Sequence, residues 1–468
     1  MAADVLLISL VAAAACALPI GGLTRPLAVL SGLLVAATAG ASAWLGIGGG
    51  PVEAFVWAGP LGAQLALGSD GYSTALLMLT GVLFAVGAAA SGGVTAPRGY
   101  FALWSLLQVA VCGALVARDL ILFFFFWEAT LLPLALLMWR WGGADRRPVT
   151  VRLLVTWMTG SALLLTGIVA LGVGAHTFAI ADLSRYRLGE ASQVILAALF
   201  LAAFAVRVPL FPFHAWFPRA CVSAPLPLAI VLAGVMSKIA IYAIARICLP
   251  LFPRGMADLS PLLIGLATVG ALYGALLATR QRDTRTFVAY ASLSQLDLIA
   301  LGTVLGTADG VAGGLVASLS QGLVVATLLL LASFLARRIG SFGLGTGGLA
   351  SRAPVLTSLF VIAILAAIGA PGTSGAPGDL LILAAAFARS PGLGLIAALV
   401  VVASAVYGAV LLRSIFFGAT SERGTDLAWR ERALVIPLIV LVIAIGVAPR
   451  AITDLTDRGA PSQMDPGR

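Results

Sequence analysis

Apolar runs of roughly 17 to 25 residues recur along nearly all of this 468-residue chain, each long enough as a helix to cross a hydrocarbon core about 30 Å thick. Inside a bilayer no water is available to peptide N–H and C=O groups, so such runs must satisfy them within themselves, as helices. The period-two alternation of a membrane barrel is absent. Composition agrees, with 61% hydrophobic and 10% charged residues and a mean hydropathy of +1.08, far from the balance of a water-soluble domain. The sequence predicts an all-α polytopic membrane protein.

Hydropathy places the spans at 3–19, 27–46, 72–91, 99–117, 119–138, 151–174, 193–213, 226–249, 259–279, 285–306, 311–336, 354–388, 392–415 and 431–449, about fourteen helices. The first run has no basic segment before it and no clear cleavage site after it, so it reads as a retained helix rather than a signal peptide. Loops after odd-numbered spans hold most of the arginines, among them Arg140, Arg146, Arg147, Arg280, Arg282 and Arg337. By the positive-inside rule both termini are then expected on the non-cytoplasmic side. The net charge of +9 is scattered over loops, which fits orientation in a membrane and not nucleic-acid binding. Cys16, Cys112, Cys221 and Cys248 lie in or beside apolar runs without CxxC spacing, so neither a disulfide framework nor a metal site is expected.

Two spans carry prolines and glycines that break them. "AVRVPLFPFHAWFPRACVSAPLP" ends the seventh and "IGAPGTSGAPGDLL" lies inside the twelfth. Pro209, Pro212 and Pro218, and Pro371 and Pro377, remove backbone donors that lipid cannot replace, so these breaks belong inside protein or beside a wet cavity. Their separation by five spans predicts two five-helix repeats, and an odd helix number per repeat makes them inverted. The expected division is 1–98 for helices 1–3, 99–250 and 251–416 for the repeats, and 417–468 for the last helix and tail.

Most charged residues lie in loops or at helix ends, but Glu128, Arg207, Lys238, Asp297 and Asp379 are set within spans, away from the loops. A mid-bilayer charge costs about 2.5 to 3.5 kcal/mol even on a lenient insertion scale, so each needs a partner, water or a function. One reading is interhelical pairing, with Arg207 and Asp379 snorkelling from broken helices. The other is a proton relay, in which each group gains and loses a proton as its neighbour's charge changes. Lys238 bears on the choice, because it is the one lysine of the chain and the other 27 of its 28 Lys and Arg residues are arginines. An arginine stays charged, whereas a buried lysine can be discharged.

These residues carry a resemblance. "GSDGYSTALLMLT", "FFFFWEATLLPLALLMWRWGG", "RVPLFPFHAWFPRACVSAPLPLAIVLAGVMSKIAIYAIARICLPLFP" and "GAPGTSGAPGDLLIL" are similar to segments of the proton-translocating, antiporter-like subunits of respiratory complex I, of the chain M type. The resemblance spans about residues 65 to 455. It implies fourteen helices with inverted repeats and broken helices 7 and 12, in a bacterial cell membrane. It implies that Glu128 modulates a helix-7 base, that Lys238 is the helix-8 lysine, and that Asp379 stands in place of a helix-12 glutamate. It also implies no cofactor in this chain, with NADH, FMN, iron–sulfur clusters and quinone handled by partner subunits, and other membrane subunits and the lipid bilayer as partners.

The chain departs from that pattern where helix 7 carries Arg207 in place of lysine, and where Gln108, Gln295 and Gln321 replace titratable groups. Amides hold water but do not titrate. Asp297, two residues after Gln295, adds an acid, and Arg207 is expected to pair with Glu128. His214 lies in the first break. Two other readings stand beside the complex I subunit: a subunit of a multisubunit cation/proton antiporter, and a non-pumping structural paralogue.

Overall fold

The computed structural model describes residues 1–18, 21–46, 53–58, 62–340, 342–343, 348–417 and 425–457. Parts of the expected C-terminal segment, 418–424 and 458–468, lie outside the described residues. Eleven helices among the described residues are long and apolar enough to span a membrane, and Ala2–Ala17 and Pro354–Ala367 are shorter apolar helices.

Loop acids and hydroxyls start several of these helices by accepting from first-turn amides that have no carbonyl partner. Asp70 caps Gly71–Ala90 through the Ser73 amide at 2.7 Å, and Ser73 Oγ accepts from the Asp70 amide at 2.8 Å, a reciprocal box. Asp119 caps the helix at Leu120 through the Ile121 amide at 2.9 Å. Asp283 does the same for Thr284–Val304 through the Thr286 amide at 2.8 Å.

The structure corrects the all-α expectation in one place. Glu53–Ala58 and Ala63–Leu67 form an antiparallel hairpin, with Ala54 opposite Ala66 and Phe55 opposite Leu65. Phe55, Val56 and Trp57 are strand formers in a run too short to span. Beyond the hairpin, Leu67 bridges Ala117 and Asp119 bridges Ala179, each antiparallel.

Both proline-rich segments interrupt helices. Glu190–Arg207 ends before Pro209, and helix resumes at Trp216–Ser223. Pro354–Ala367 ends before Pro371, and Gly375–Arg389 follows. A third interruption, at Thr130, separates Leu120–Ala129 from Leu131–Trp141. Pro133 has no N–H to offer the Ala129 carbonyl, which accounts for its position. Helix Leu226–Leu251 is buried throughout residues 227–248, but its hydrogen bonding switches to π-type over Leu232–Met236 and again over Ile244–Cys248.

By compactness the chain forms two units. One comprises Met1–Val208, Val235–Leu263 and Asp454–Arg468, and the other Pro209–Gly234 and Ile264–Thr453.

Candidate functional site

In the first unit the interruption at Thr130 builds the seat of Arg207. Arg207 is the last residue of its helix and 1% exposed. Its guanidinium carbon lies 4.0 Å from the Trp127 ring centre and 4.1 Å from that of Trp157, so it is sandwiched between two indoles. It donates to Thr130 Oγ1 and, at 3.4 Å, to the Trp127 carbonyl. Thr130 Oγ1 in turn donates to that same carbonyl at 2.7 Å, and Trp127 Nε1 donates to Ser161 Oγ at 3.1 Å, which fixes the ring. A planar, delocalised cation suits this slot, and each desolvated cation–π contact contributes up to about 2 kcal/mol.

Glu128 does not form the expected contact pair. Among the described residues no ion pair joins it to Arg207, and its buried Oε1 accepts no hydrogen bond. The two Nη groups of Arg207 are instead taken by Thr130 Oγ1 and the Trp127 carbonyl. Gln108, fully buried, accepts from the Ser31 hydroxyl at 3.4 Å.

Lys238 belongs to the same unit and is 1% exposed. It sits in Ser237–Ala243, the α-helical stretch between the two π segments. Such π-bulges recur at functional sites because they re-aim side chains within a helix. Every residue from Ser237 to Cys248 is buried.

The second unit holds a different arrangement. The break after Ala367 leaves that residue's carbonyl without a helical partner, and Gln295 Nε2 donates to it. Gln295, Gln321, Ser292 and Tyr407 line a cavity of about 20 Å³, room for one water molecule. Gln295 and Tyr407 also face a second recess, shared with Ser294, Ser404 and Asp379. The structure thus places Gln295 between the cavity it shares with Gln321 and the recess it shares with Asp379.

Asp379 is 8% exposed, one turn into Gly375–Arg389. Gly369 lies against it at φ +70°, and a Cβ there would stand 2.5 Å from Asp379 Oδ2, so the break admits only glycine at this point. Across the same break, Ser374 Oγ and Ser320 Oγ are 2.7 Å apart.

Asp297 does not join this group. Two residues along a helix turn it about 200° from Gln295, and its carboxylate lies against Gly270, where a Cβ would be 2.5 Å from Oδ2. It is fully buried and neither oxygen accepts a hydrogen bond among the described residues. His214, in the first break, stacks on Phe211 at 5.5 Å and meets Tyr273 at 5.0 Å. Tyr407 is the site residue that sequence reasoning missed. It lies in an apolar span, and a tyrosine there carries no signal that separates a cavity wall from packing.

Comparison with known proteins gives the family and the fold. The family described as "NADH:quinone oxidoreductase/Mrp antiporter, TM" matches residues 117–406. NADH-quinone oxidoreductase subunit 13 of Thermus thermophilus is 35% identical over 393 residues, 83% of each chain. NADH-quinone oxidoreductase subunit M of Rhodobacter capsulatus is 31% identical over 414 residues, 84% of this chain and 81% of that one. A chain in the structure of respiratory complex I from Thermus thermophilus with bound NADH superposes with a TM-score of 0.90 at 32% identity, covering 98% of both chains.

Proposed function

Because the chain belongs to the NADH:quinone oxidoreductase/Mrp antiporter transmembrane family, we propose that it is a proton-translocating membrane-arm subunit of an NADH–quinone oxidoreductase. It works as part of that enzyme complex, embedded in the membrane beside other membrane subunits, and redox chemistry in those partners drives it. NADH, FMN, iron–sulfur clusters and quinone belong to the partners. In this reading the helices number fourteen, residues 99–250 and 251–416 are inverted repeats, and both termini face the non-cytoplasmic side.

The observation that carries the proposal is Lys238, the chain's one lysine, wholly enclosed within a helix whose hydrogen bonding is rearranged on both sides of it. A permanently buried charge without a task is costly, and lysine is the basic residue that can lose its charge. Lys238 is the exchangeable cation of the first unit. Arg207 is its fixed cation, held by stacking, and Glu128 biases the local field. In the second unit Asp379 exchanges the proton, and Gln295 and Gln321 hold the water that delivers it. Asp297 is a buried acid at the edge of this path.

The test is substitution of Lys238 in the complex reconstituted into vesicles. Lys238→Ala lowers proton transfer by about tenfold or more, ~1.4 kcal/mol of barrier, with the complex still assembled. Lys238→Arg is nearly as damaging, since arginine keeps its proton. Wild-type pumping in the arginine variant would end the relay reading. The partners that co-purify in mild detergent distinguish this complex from a cation/proton antiporter of the same family.

A further inference from the structure

We infer that Asp70, Arg118, Tyr242 and Arg246 form a cationic plug that closes one end of the Lys238 helix to protons. All four residues belong to the first unit, and the inference rests on the relay role proposed for Lys238. Asp70, the cap of Gly71–Ala90, forms two ion pairs through one oxygen: Arg246 Nε lies 3.1 Å and Arg118 Nη2 3.7 Å from its Oδ2. Arg118 Nη1 donates to the Tyr242 hydroxyl at 2.8 Å. The Arg246 guanidinium also lies over the Tyr72 ring at 5.3 Å, and Tyr72 packs on Tyr242 at 6.0 Å.

The backbone holds this cluster in place. The Arg118 amide donates to the Ala66 carbonyl at 2.9 Å, and the Arg118 carbonyl accepts from Ile180 at 3.0 Å. The hairpin's second strand and the bridge at Asp119 therefore lock the loop that carries Arg118. Nothing in the relay itself needs that lock.

Lys238 and Tyr242 lie four residues apart within α-helical Ser237–Ala243, the spacing that stacks side chains along one face, and the π segment that follows carries Arg246, which reaches Asp70. Tyr242 is therefore the first polar group one turn from Lys238 in this direction, and the ion cluster is the next. The side chains of Arg246, Asp70 and Arg118 are 6%, 14% and 19% exposed, so enclosure loosens from Arg246 to the acid and to Arg118.

Two guanidinium groups against one carboxylate leave the cluster with one net positive charge, and arginine does not give up its proton. An excess proton moving from Lys238 toward this end meets a tyrosine whose oxygen already accepts from Arg118, and behind it a fixed positive charge. That is the electrostatic exclusion by which pores reject protons and cations. The cluster gives the relay a direction, because a proton held at Lys238 cannot fall back toward this surface.

The experiment measures passive proton leak in vesicles holding the whole complex, without NADH. Arg246→Gln makes the cluster neutral, and the leak is expected to rise about tenfold as one unit-charge repulsion is removed. Arg246→Lys keeps the charge and stays tight. The double variant Asp70→Asn with Arg246→Gln restores one net positive charge, retains a good helix cap, and returns the leak to the wild-type level. A cluster that serves only to hold helices together predicts no dependence on net charge. An assembled but tight Arg246→Gln complex, or a double variant as leaky as the single one, overturns the plug. Should Arg246→Gln fail to assemble, Arg118→Gln removes the same charge from the other side of Asp70 and must leak equally; a tight Arg118→Gln complex overturns the plug as well. Adding Lys238→Ala to the leaky variant separates the two proposals. A leak that disappears runs through Lys238, and one that persists overturns the plug's assignment to the Lys238 route.

Discussion

The two units solve the problem of a polar group in hydrocarbon in opposite ways. In the first, Arg207 is enclosed by indoles and Thr130, a site packed around a charge that never leaves. In the second, amides and a carboxylate surround a water-sized cavity and a recess beside a helix break. The walls separate them: two indoles stack on the Arg207 cation, whereas Asp379 faces a recess walled by the polar groups of Ser294, Gln295, Ser404 and Tyr407. Side-chain identity follows this division. Arginine stands where the walls are aromatic, and Gln295, Gln321, Ser292 and Tyr407 stand where water needs donors and acceptors.

The comparison breaks most sharply at Asp379. Asp379→Asn keeps the shape and removes the titration, and proton transfer by the reconstituted complex is expected to fall by about 100-fold, ~2.7 kcal/mol. Transfer at the wild-type rate would strip the second unit of its role. Tyr407→Phe comes next. It preserves the ring contact with Phe287 at 5.7 Å and deletes the hydroxyl from both cavity walls. Loss of one hydrogen-bonding group is worth about 0.5 to 1.5 kcal/mol, so transfer should slow by roughly three- to tenfold with stability little altered.

Arg207→Lys sharpens the comparison from the other side. Lysine can release its proton, so transfer should rise by roughly two- to fivefold, while the lost stacking lowers stability by about 1 to 2 kcal/mol in thermal unfolding of the complex. Unchanged transfer together with unchanged stability would mean that the indole seat does not matter. The smallest effect belongs to Asp297→Asn. Its carboxylate faces Gly270, away from the Gln295 cavity, and transfer should stay within about twofold of wild type, as for substitutions outside a site. A large loss in the same flux assay would move the proton path to that face.

How much of this was legible beforehand can be read residue by residue. The mostly helical, membrane-spanning character was, because hydrocarbon thickness dictates how many apolar residues a helix needs, and eleven helices among the described residues are long and apolar enough to span. So were the two interruptions, because a proline lacks the donor that a buried helix requires. The rarity of a buried charge singled out Glu128, Arg207, Lys238, Asp297 and Asp379 before any geometry was known. The interruption at Thr130 was missed although Pro133 was in plain view, since one proline inside an otherwise apolar run is also compatible with a gently kinked helix.

The sequence by itself determined that most of the chain is helical, where its two proline-rich breaks fall, and which buried groups demand an explanation. These follow from local chemistry and the thickness of the membrane. Only the tertiary structure decided what those groups touch. Arg207 meets Trp127 and Trp157 across 80 and 50 residues, Asp70 meets Arg246 across 176, and Gln295 meets Tyr407 across 112. Each meeting depends on how whole helices pack and turn about their axes. A 100° turn per residue carries a side chain from one neighbour to another, and no pattern along the chain records which neighbour stands there.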